Sequence, residues 1–535
     1  MKKVFKFILL IFVFFFLISC DILETKPKIN SPKLRFKDNV LSYELVDNAY
    51  LYVIYVDDLE YTRISTNSLD LSNISEGVHQ IKVQALSKDD AYLDSDLSFL
   101  RIQVKYQPII IDEKNYQYQV FMINDTHGAL FDDEFPSLGR VASIVDSLDE
   151  NTIKIHNGDA FQGSYESNQV YGRSVLDALN QIGFDCFVLG NHEFDWGLDV
   201  IRQYKDGNLE NGEANFPFLG CNIIDKKTNK MVDFLEPYYI KEIDGLKVGI
   251  IGMIGYGEES SILTPNVADY DFVYPYELVR QYIKELKEDK SCDSVLLSIH
   301  DYDEELNQRF AEMSGIYQID GILCGHTHQH ITKELTSNDR KIPVVQNLSQ
   351  NKTAITIDFN VLDHTYQIKS YYPSSYPMSK TLEEVLNNYQ YLNTEAKTII
   401  KKNNNYISRA SLGAAACRAM KDEFDADLAI INTGGIRNYI NSDITIGAIF
   451  TVFPFNNQVI ETTLTGSKLL SLYNKNSDYL YFSEFDFNQI NNNQIYKIAV
   501  IDYVFYGPYY DEFKNIDYVN TGVLMRDLLI EYFKK

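Results

Sequence analysis

Side chains that commonly bind metal ions follow several short apolar runs of this sequence, each where a predicted strand ends. They are Asp125 and His127 after VFMI, Asp159 after TIKIH, Asn191, His192 and Asp195 after CFVL, His300 at the end of VLLSIH, and His326 and His328 after ILC. In open α/β sheets the carboxyl ends of the strands gather at one edge, where sites form. We therefore expect these side chains to converge on one site.

The spacing within the series adds to this prediction. Asp125 and His127 are two residues apart, as are His326 and His328, so extended backbone would project each pair to one side. A single D-x-H pair is more often a solvated loop, and a lone histidine is more often a satisfied polar residue. Here five of the nine histidines, three carboxylates and an asparagine follow apolar runs in an ordered series, which argues against chance.

The series D-x-H, G-D, G-N-H-[DE], H and G-H-x-H resembles that of the calcineurin-like metallophosphoesterases. The longer segment YGRSVLDALNQIGFDCFVLGNHEFDWG resembles the 5′-nucleotidase family, which includes UDP-sugar hydrolases and 2′,3′-cyclic phosphodiesterases. The resemblance covers most of 116–535 and implies two divalent metal ions, for which these ligands suit Zn, Mn, Co or Mg. One ion would be bound by Asp125, His127 and His328, the other by Asn191, His300 and His326, with Asp159 bridging both.

The resemblance also implies a catalytic pair. His192 would face the phosphate and stabilise charge on its oxygens in the transition state, while Asp195 would orient the other ring nitrogen. A helix cap is the alternative reading of Asp195. His156 and His330 are left out of the predicted site, the first as a wall residue and the second as an outer or surface residue.

The C-terminal part contains residues that match the family's substrate loops. In LAIINTGGIRNYI, Asn432, Gly434 and Arg437 match the N-x-G-G-x-R loop, and Phe455 in VFPFNN matches the turn whose Phe stacks on the base. Glycine lets the backbone approach a ligand closely, and a guanidinium can grip an anion in bidentate fashion. The alternatives are a tight turn with a structural arginine and a core aromatic.

Two further substrate positions depart from the family pattern. Relatives carry a Gly-Gly-rich segment whose aromatic closes the base sandwich, but here IDYVFYGPYYDEF has a proline at 508. We predict Tyr510 as the second aromatic, with Tyr509 and Phe513 as alternatives. Arg409 lies near the family's second phosphate-binding arginine, displaced by about one residue.

The 535 residues, 45% hydrophobic and 23% charged, indicate a globular chain of three to four domains. Residues 33–106 alternate with period two and predict a β-sandwich that resembles a fibronectin type III module, a spacer or adhesion module whose partner is unknown. Residues 116–375 predict an α/β, four-layer metallophosphoesterase domain, and 403–535 an α/β substrate-binding domain.

An interdomain segment, 376–402, is predicted to contain a helix. Its apolar face comprises Leu382, Val385, Leu386, Tyr389 and Leu392. Thr381 and Glu384 suggest a capping box. In the family a substrate is carried to the metals by domain rotation, and we expect the hinge in this helix.

The N-terminus predicts a bacterial lipoprotein. Lys2, Lys3 and Lys6 precede twelve apolar residues, fewer than the ~20 of a membrane span. Leu17-Ile18-Ser19-Cys20 resembles a lipobox, which implies cleavage before Cys20 and its acylation. Residues 1–20 would be the signal, 21–32 a tether, and the protein lipid-anchored outside the cytoplasm. The alternative is an ordinary signal peptide with a chance cysteine.

The net charge of −26 excludes nucleic-acid polymers and a polybasic attachment to membranes. The remaining five cysteines show no C-x-x-C spacing and are predicted to be structural. The sequence therefore predicts an extracytoplasmic phosphoesterase that hydrolyses nucleotide phosphate esters. The nearest alternatives are a 2′,3′-cyclic phosphodiesterase or a UDP-sugar or nucleotide pyrophosphatase. An alternative of another class is a surface-binding lipoprotein with a relic enzyme fold, against which the intact ligand set argues.

Overall fold

The computed structural model describes residues 26–37, 40–57, 59–71, 74, 77–88, 92–104, 116–133, 135–337 and 340–535. The predicted signal segment, Cys20 and the start of the tether lie outside the described residues. Within the described ranges, no helix has both the length and the hydropathy needed to cross a bilayer. The chain divides into two compact units, Met1–Asp112 and Glu113–Lys535.

The first unit is built from two antiparallel sheets. One contains, in order, Leu34–Lys37, Val40–Tyr43 and Ser68–Asp70; the other contains Leu59–Ile64, Ala49–Val56, Gly77–Ser87 and Ser98–Val104. Leu41 of the first sheet and Ile54 and Ile81 of the second belong to one buried core. The alternation predicted in Gly77–Ser87 is confirmed, since Ile81, Val83 and Ala85 are buried.

The N-terminal part of the second unit contains two six-stranded sheets. The first has the order Phe218–Leu219, Cys186–Val188, Ile153–Asn157, Tyr118–Ile123, Ala354–Asn360 and Thr365–Tyr371. The second has the order Tyr238–Ile243, Leu246–Ile254, Ser294–His300, Gly321–Cys324, Arg340–Gln346 and Ile331–Ser337. One core, including Val120, Ile155, Ile250 and Leu296, lies between the sheets.

Helices cover the outer faces of both sheets. Leu138–Val145 and Arg173–Ile182 pack on the first sheet, and Tyr276–Lys284 and Glu304–Ala311 on the second. The α/β prediction for this domain is thereby confirmed, with the layers in the order helix, sheet, sheet, helix. Shorter elements complete it: helices Tyr165–Asn168, Leu198–Arg202 and Thr264–Val267, and a small sheet of Lys230–Met231, Ile223–Asp225 and Tyr270–Phe272.

The connecting helix is shorter than predicted and starts differently. It spans Glu383–Ala396 after a single 3₁₀ turn, Lys380–Leu382. The predicted capping box is wrong, because the Thr381 hydroxyl donates to Asp146 (3.0 Å). Ser379 is the residue that caps the turn, accepting from the Thr381 amide (2.9 Å).

The helix belongs to the phosphoesterase domain. Val385, Tyr389 and Leu392 lie in the core of that domain, and the Tyr389 hydroxyl donates to Asp177 (2.6 Å). The next strand, Ile399–Lys401, pairs instead with Ile444–Thr445 of the C-terminal domain. The chain therefore passes between the domains at residues 397–398, and a hinge in this interdomain segment stays a prediction.

The C-terminal domain has a five-stranded sheet in the order Leu480–Phe482, Leu428–Asn432, Ile495–Ile501, Gln458–Thr465 and Tyr518–Leu524. Its helices are Arg409–Glu423, Ile446–Val452, Gly466–Asn476, Asp502–Phe505 and Met525–Lys534. The five cysteines after Cys20 are free and buried, as expected of structural thiols.

Candidate metal centre and substrate cavity

The predicted metal ligands lie where strands of both sheets end. Asp125 and Asp159 follow Tyr118–Ile123 and Ile153–Asn157, while His300 closes its strand and His326 follows Gly321–Cys324. Neighbouring strands are parallel at these points. The strand ends of the two sheets therefore bring residues from 125 to 328 together. The sequence predicted this convergence, but not that two sheets contribute to it.

Six of these side chains form two groups. Asp125, His127 and His328 make up one group, and Asp159, His300 and His326 the other; within each group the candidate ligand atoms lie within 4.8 Å of one another. Asp125 Oδ1 lies 3.2 Å from His328 Nε2, and Asp159 Oδ2 lies 3.1 Å from His300 Nε2. Asn191 joins the second group, its Oδ1 lying 2.9 Å from His326 Nδ1.

The donor atoms of both groups fit divalent cations. Asp125 Oδ1 and His300 Nε2 are buried, and their contacts of 3.1–3.2 Å within each group do not have hydrogen-bond geometry. Such burial is costly unless another group binds these atoms. His300 Nδ1 lies 2.7 Å from the Asn157 carbonyl. That contact places the proton on Nδ1 and leaves Nε2 as the free ligand atom, as is usual for metal-binding histidines.

The ligand loops are not extended, and that expectation was wrong. Asp125, His127, His326 and His328 all have φ between 47° and 71°, and Asp159 has φ of 56°. Left-handed backbone costs free energy for residues with a Cβ atom, and such residues cluster at functional sites. With this backbone Asp125 and His127 lie in one ligand group, whereas His326 and His328 are divided between the two groups.

Two glycines allow the loops to approach closely. Gly158 has φ of 83°, and a Cβ atom there would collide with the His300 ring; one at Gly190 would collide with Asp159. Both positions directly precede a predicted ligand, so the glycines set how near the ligands can come.

Two glutamates that sequence reasoning did not single out support the ligands. The buried Glu193 carboxylate accepts from the amides of Asp159, Ala160 and Gly190 at 2.8–2.9 Å, and its burial beside Asp159 raises its pKa to about 7. Glu258 Oε2 lies 3.2 Å from His326 Nε2. Glu193 stands inside the G-N-H-E motif, which was the available signal; Glu258 had none.

His192 and Asp195 form the predicted pair. His192 Nδ1 lies 2.8 Å from Asp195 Oδ2, and the opposite nitrogen lies 3.9 Å from Asp159. Burial favours the neutral ring, but the charges of Asp195 and Asp159 outweigh it and raise the pKa of His192 to about 9. A cationic ring is suited to facing an anionic oxygen.

A cavity of about 430 Å³ lies beside the metal centre, between the two domains of this unit. The phosphoesterase domain lines it with Asp159, Asn191 and His192, and the C-terminal domain with Asn432, Gly434, Arg437 and Phe455. The Phe455 ring stacks on His192 with centroids 5.5 Å apart, and the Arg437 guanidinium lies 5.9 Å from the Phe455 centroid. The predicted substrate residues are thus brought to the metal centre.

The second aromatic was predicted at the wrong position. Tyr510 is only 8% exposed and packs in the core of the C-terminal domain. In this part of the C-terminal domain Tyr503 lines the cavity instead, and its hydroxyl donates to the Ser260 carbonyl (3.1 Å). The available signal was the position of Tyr503, two residues after the apolar strand Ile495–Ile501; the family's glycine-rich pattern pointed instead to residues further along the chain.

The other candidates lie outside this cavity. Arg409 lines a second cavity of about 750 Å³ on the His127 and His328 side of the centre, and donates to the Thr433 carbonyl (3.3 Å). His156 is fully buried and stacks on Phe187, in line with its assignment to the wall. His330 Nε2 lies 3.2 Å from Ser370 Oγ.

Comparison with known families matches both domains. Residues 118–330 match the calcineurin-like phosphoesterase family, and residues 392–495 match the 5′-nucleotidase C-terminal domain. The chain contains a calcineurin-like phosphoesterase domain followed by a 5′-nucleotidase C-terminal domain. Such a phosphoesterase is a metal-dependent hydrolase of phosphoric esters, and the two ligand groups above are its candidate metal sites.

Individual relatives of this phosphoesterase are distant but extensive. It is 24% identical to the cell wall protein Lmo0130 of Listeria monocytogenes, over 78% of this chain and 67% of that protein. It is 24% identical to a 5′-nucleotidase of Vibrio cholerae, over 68% and 76% of the two chains. The solved structure of a 5′-nucleotidase precursor from Thermus thermophilus has the same fold, with a TM-score of 0.65 at 20% identity, over 78% and 96%.

Proposed function

We propose that this phosphoesterase hydrolyses nucleotide phosphate esters, with the metal centre of the first domain acting on a phosphate whose nucleoside is held by the second. The observation that carries the proposal is the shared cavity. Predicted metal ligands and His192 line the side formed by the phosphoesterase domain. Arg437, Phe455 and Tyr503 line the side formed by the C-terminal domain. An aromatic pair suits a base, and a guanidinium suits a phosphate or carboxylate.

The proposal assigns the ligands as the two groups stand. Asp125, His127 and His328 hold one divalent ion. Asn191, His300 and His326 would hold the other together with the buried Asp159 of the same group, and the bridging of both ions by Asp159 stays a prediction. Two such ions polarise a phosphoryl group and lower the pKa of bound water into a usable range. Zn, Mn, Co and Mg all suit these ligands.

His192 carries the remaining charge stabilisation. Its Nε2 faces Asp159, while Asp195 accepts from Nδ1 and orients the ring. A fixed donor favours the transition state because negative charge develops on the phosphoryl oxygens. Arg437 and Asn432 then hold the substrate as it enters from the C-terminal domain.

The nucleoside is proposed to lie between Phe455 and Tyr503. Asp502 links the two segments that carry these rings, since its carboxylate accepts from the Tyr503 amide (2.7 Å) and from the side chain of Asn457, two residues after Phe455 (2.9 Å). Arg409, on the other side of the metal centre, is assigned to a second phosphate.

The proposal also places the protein outside the cytoplasm, anchored through Cys20, with residues 33–106 as a fibronectin type III-like spacer. The similarity to a cell wall protein and the lipobox support this location. The domain limits 116–375 and 403–535 are retained, with the crossing point at residues 397–398.

A substrate panel tests the proposal. Chain lacking residues 1–20 is incubated with nucleoside 5′-monophosphates, 2′,3′-cyclic nucleotides and nucleotide sugars, after chelation and again after metal is restored. We expect metal-dependent phosphate release, fastest from a 5′-monophosphate. Faster cleavage of a cyclic nucleotide or a nucleotide sugar would favour those alternatives, and cleavage of none would refute the proposal in favour of a relic enzyme fold.

A further inference from the structure

Arg526 is a buried arginine beneath the loop that carries Phe455. It is the second residue of the helix Met525–Lys534 and is 3% exposed. Its Nη1 donates to the carbonyls of Phe453 (3.0 Å), Pro454 (3.0 Å) and Phe455 (3.2 Å), and its Nη2 donates to the Asn456 side chain (2.7 Å). One guanidinium therefore binds four consecutive residues.

All four partners are uncharged, so burying the Arg526 guanidinium among them is costly. Removing a guanidinium from water is unfavourable unless the charge is compensated, and burial lowers the pKa of Arg526 to about 10. Three carbonyl dipoles point at it, and its Cζ lies 3.6 Å from the centroid of the Phe450 ring, where a cation is attracted. The contacts turn the loop's carbonyls inward, which leaves the Phe455 side chain to face the cavity.

The phosphoesterase domain contacts the same loop. Asn168 Nδ2 donates to the Pro454 carbonyl (2.7 Å), the oxygen that Arg526 also binds. Tyr165, on the same short helix, packs edge-on against Phe450 with centroids 4.9 Å apart. The Pro454 carbonyl of the Phe455 loop therefore accepts hydrogen bonds from both domains, from Asn168 of the phosphoesterase domain and from Arg526 of the C-terminal domain.

We propose that Arg526 is a positioning residue for nucleoside binding: it fixes the Phe453–Asn456 loop so that Phe455 is presented to the base. The inference rests on the proposed function for the nature of the ligand. Arg526 itself lies behind the loop, so it acts through Phe455 and is expected to affect ligands with a base and to spare those without one.

The test uses the single tryptophan of the chain. Trp196 lines the same cavity as Phe455, so its fluorescence reports adenosine binding without any hydrolysis. In Arg526→Met, we expect adenosine to bind at least about fivefold more weakly, the lower end of what loss of one base stack costs. KM for a nucleoside 5′-monophosphate should rise by a similar factor, while kcat and the hydrolysis of glycerol 2-phosphate, which has no base, stay within about twofold.

Three further variants separate positioning from folding. Arg526→Lys keeps a donor for the carbonyls and should recover part of the adenosine affinity. Asn456→Ala removes one exposed partner and should weaken adenosine about twofold to threefold, even if Arg526→Met does not fold. Arg418→Met is the matched control, because Arg418 is an exposed arginine of the same domain that pairs with Glu484, and it should leave adenosine affinity unchanged.

Unchanged adenosine affinity in Arg526→Met, or an equal loss with both esters, would overturn the inference, as would a wild-type chain that does not bind adenosine. A wild-type chain that binds adenosine but cleaves no nucleotide would refute the proposed function alone, since the fluorescence measurement would still decide the role of Arg526.

Discussion

The metal centre and the substrate loops differ in how their residues are held. The ligands stand directly on strand ends, are mostly buried, and are fixed by contacts within one domain, such as those of Gly158 with His300 and of Glu193 with Asp159. Phe455 and Tyr503 belong to the C-terminal domain and are only half-buried. They lie near the ligand groups because hydrogen bonds such as Asn168 to Pro454 and Tyr503 to Ser260 join the two domains. The first region is therefore preformed within one domain, whereas the second depends on where two domains meet.

This difference predicts which variants abolish the chemistry and which weaken only binding. The largest effect is expected from Asp159→Asn, because Asp159 is the buried carboxylate of the second ligand group and its side chain also lies near His192. Metal content measured by mass spectrometry should fall together with activity, and kcat should drop by more than about 100-fold, the upper end for an outer partner of a ligand. Asp149→Asn, at an exposed carboxylate, is the control. Full metal content with full activity would contradict the assignment.

His192→Gln should separate catalysis from metal binding. We expect kcat to fall by about 10²–10³-fold, as when one transition-state donor is lost, while metal content stays at the wild-type level. His330→Gln changes a histidine outside the cavity and should alter kcat by less than about twofold. A loss of metal in His192→Gln would move this residue into the ligand set.

Tyr503→Ala and Tyr510→Ala test the corrected aromatic. Loss of a base stack is worth about 1–3 kcal/mol, so Tyr503→Ala should raise KM for a nucleotide about 5–150-fold with little change in Tm. Tyr510→Ala removes a core side chain and should lower Tm while KM stays constant. The reverse pattern would restore the original prediction.

The smallest effect is expected from Tyr389→Phe, which removes the hydrogen bond to Asp177. If the connecting helix belongs to the first domain, the variant should lose about 1 kcal/mol of stability, seen as a Tm lower by a few degrees, with unchanged kcat and KM. An altered kcat at constant Tm would instead support a hinge within the helix.

The metal centre was predictable from the sequence because its ligands follow apolar strands, and parallel strand ends meet by topology alone. That rule was sufficient to predict that four of the ligands lie close together, namely Asp125, Asp159, His300 and His326. Their left-handed backbone was not predictable, since nothing in D-x-H or H-x-H distinguishes it from extended chain. The backbone conformation of these loops depends on tertiary packing, which includes close approaches such as that of Gly158 to His300.

The substrate side was harder because its geometry depends on long-range contacts. Phe455 and Arg437 were found through a local motif, but Tyr503 was missed in favour of Tyr510, seven residues away and in the core. The ends of the connecting helix were also misjudged, since Ile399–Lys401 leaves the helix to pair with a strand more than 40 residues later. Arg526 carried no signal, because its role exists only once the loop Phe453–Asn456 folds over it.

The central claim is that two ions held by the first domain act on a nucleotide held by the second. Phosphate release from AMP, measured while metal is returned to the chelated protein in known equivalents, tests it most directly. The account predicts almost no release without metal and a rise that levels off at two equivalents per chain. Release that persists after chelation, or saturates at one equivalent, would contradict it.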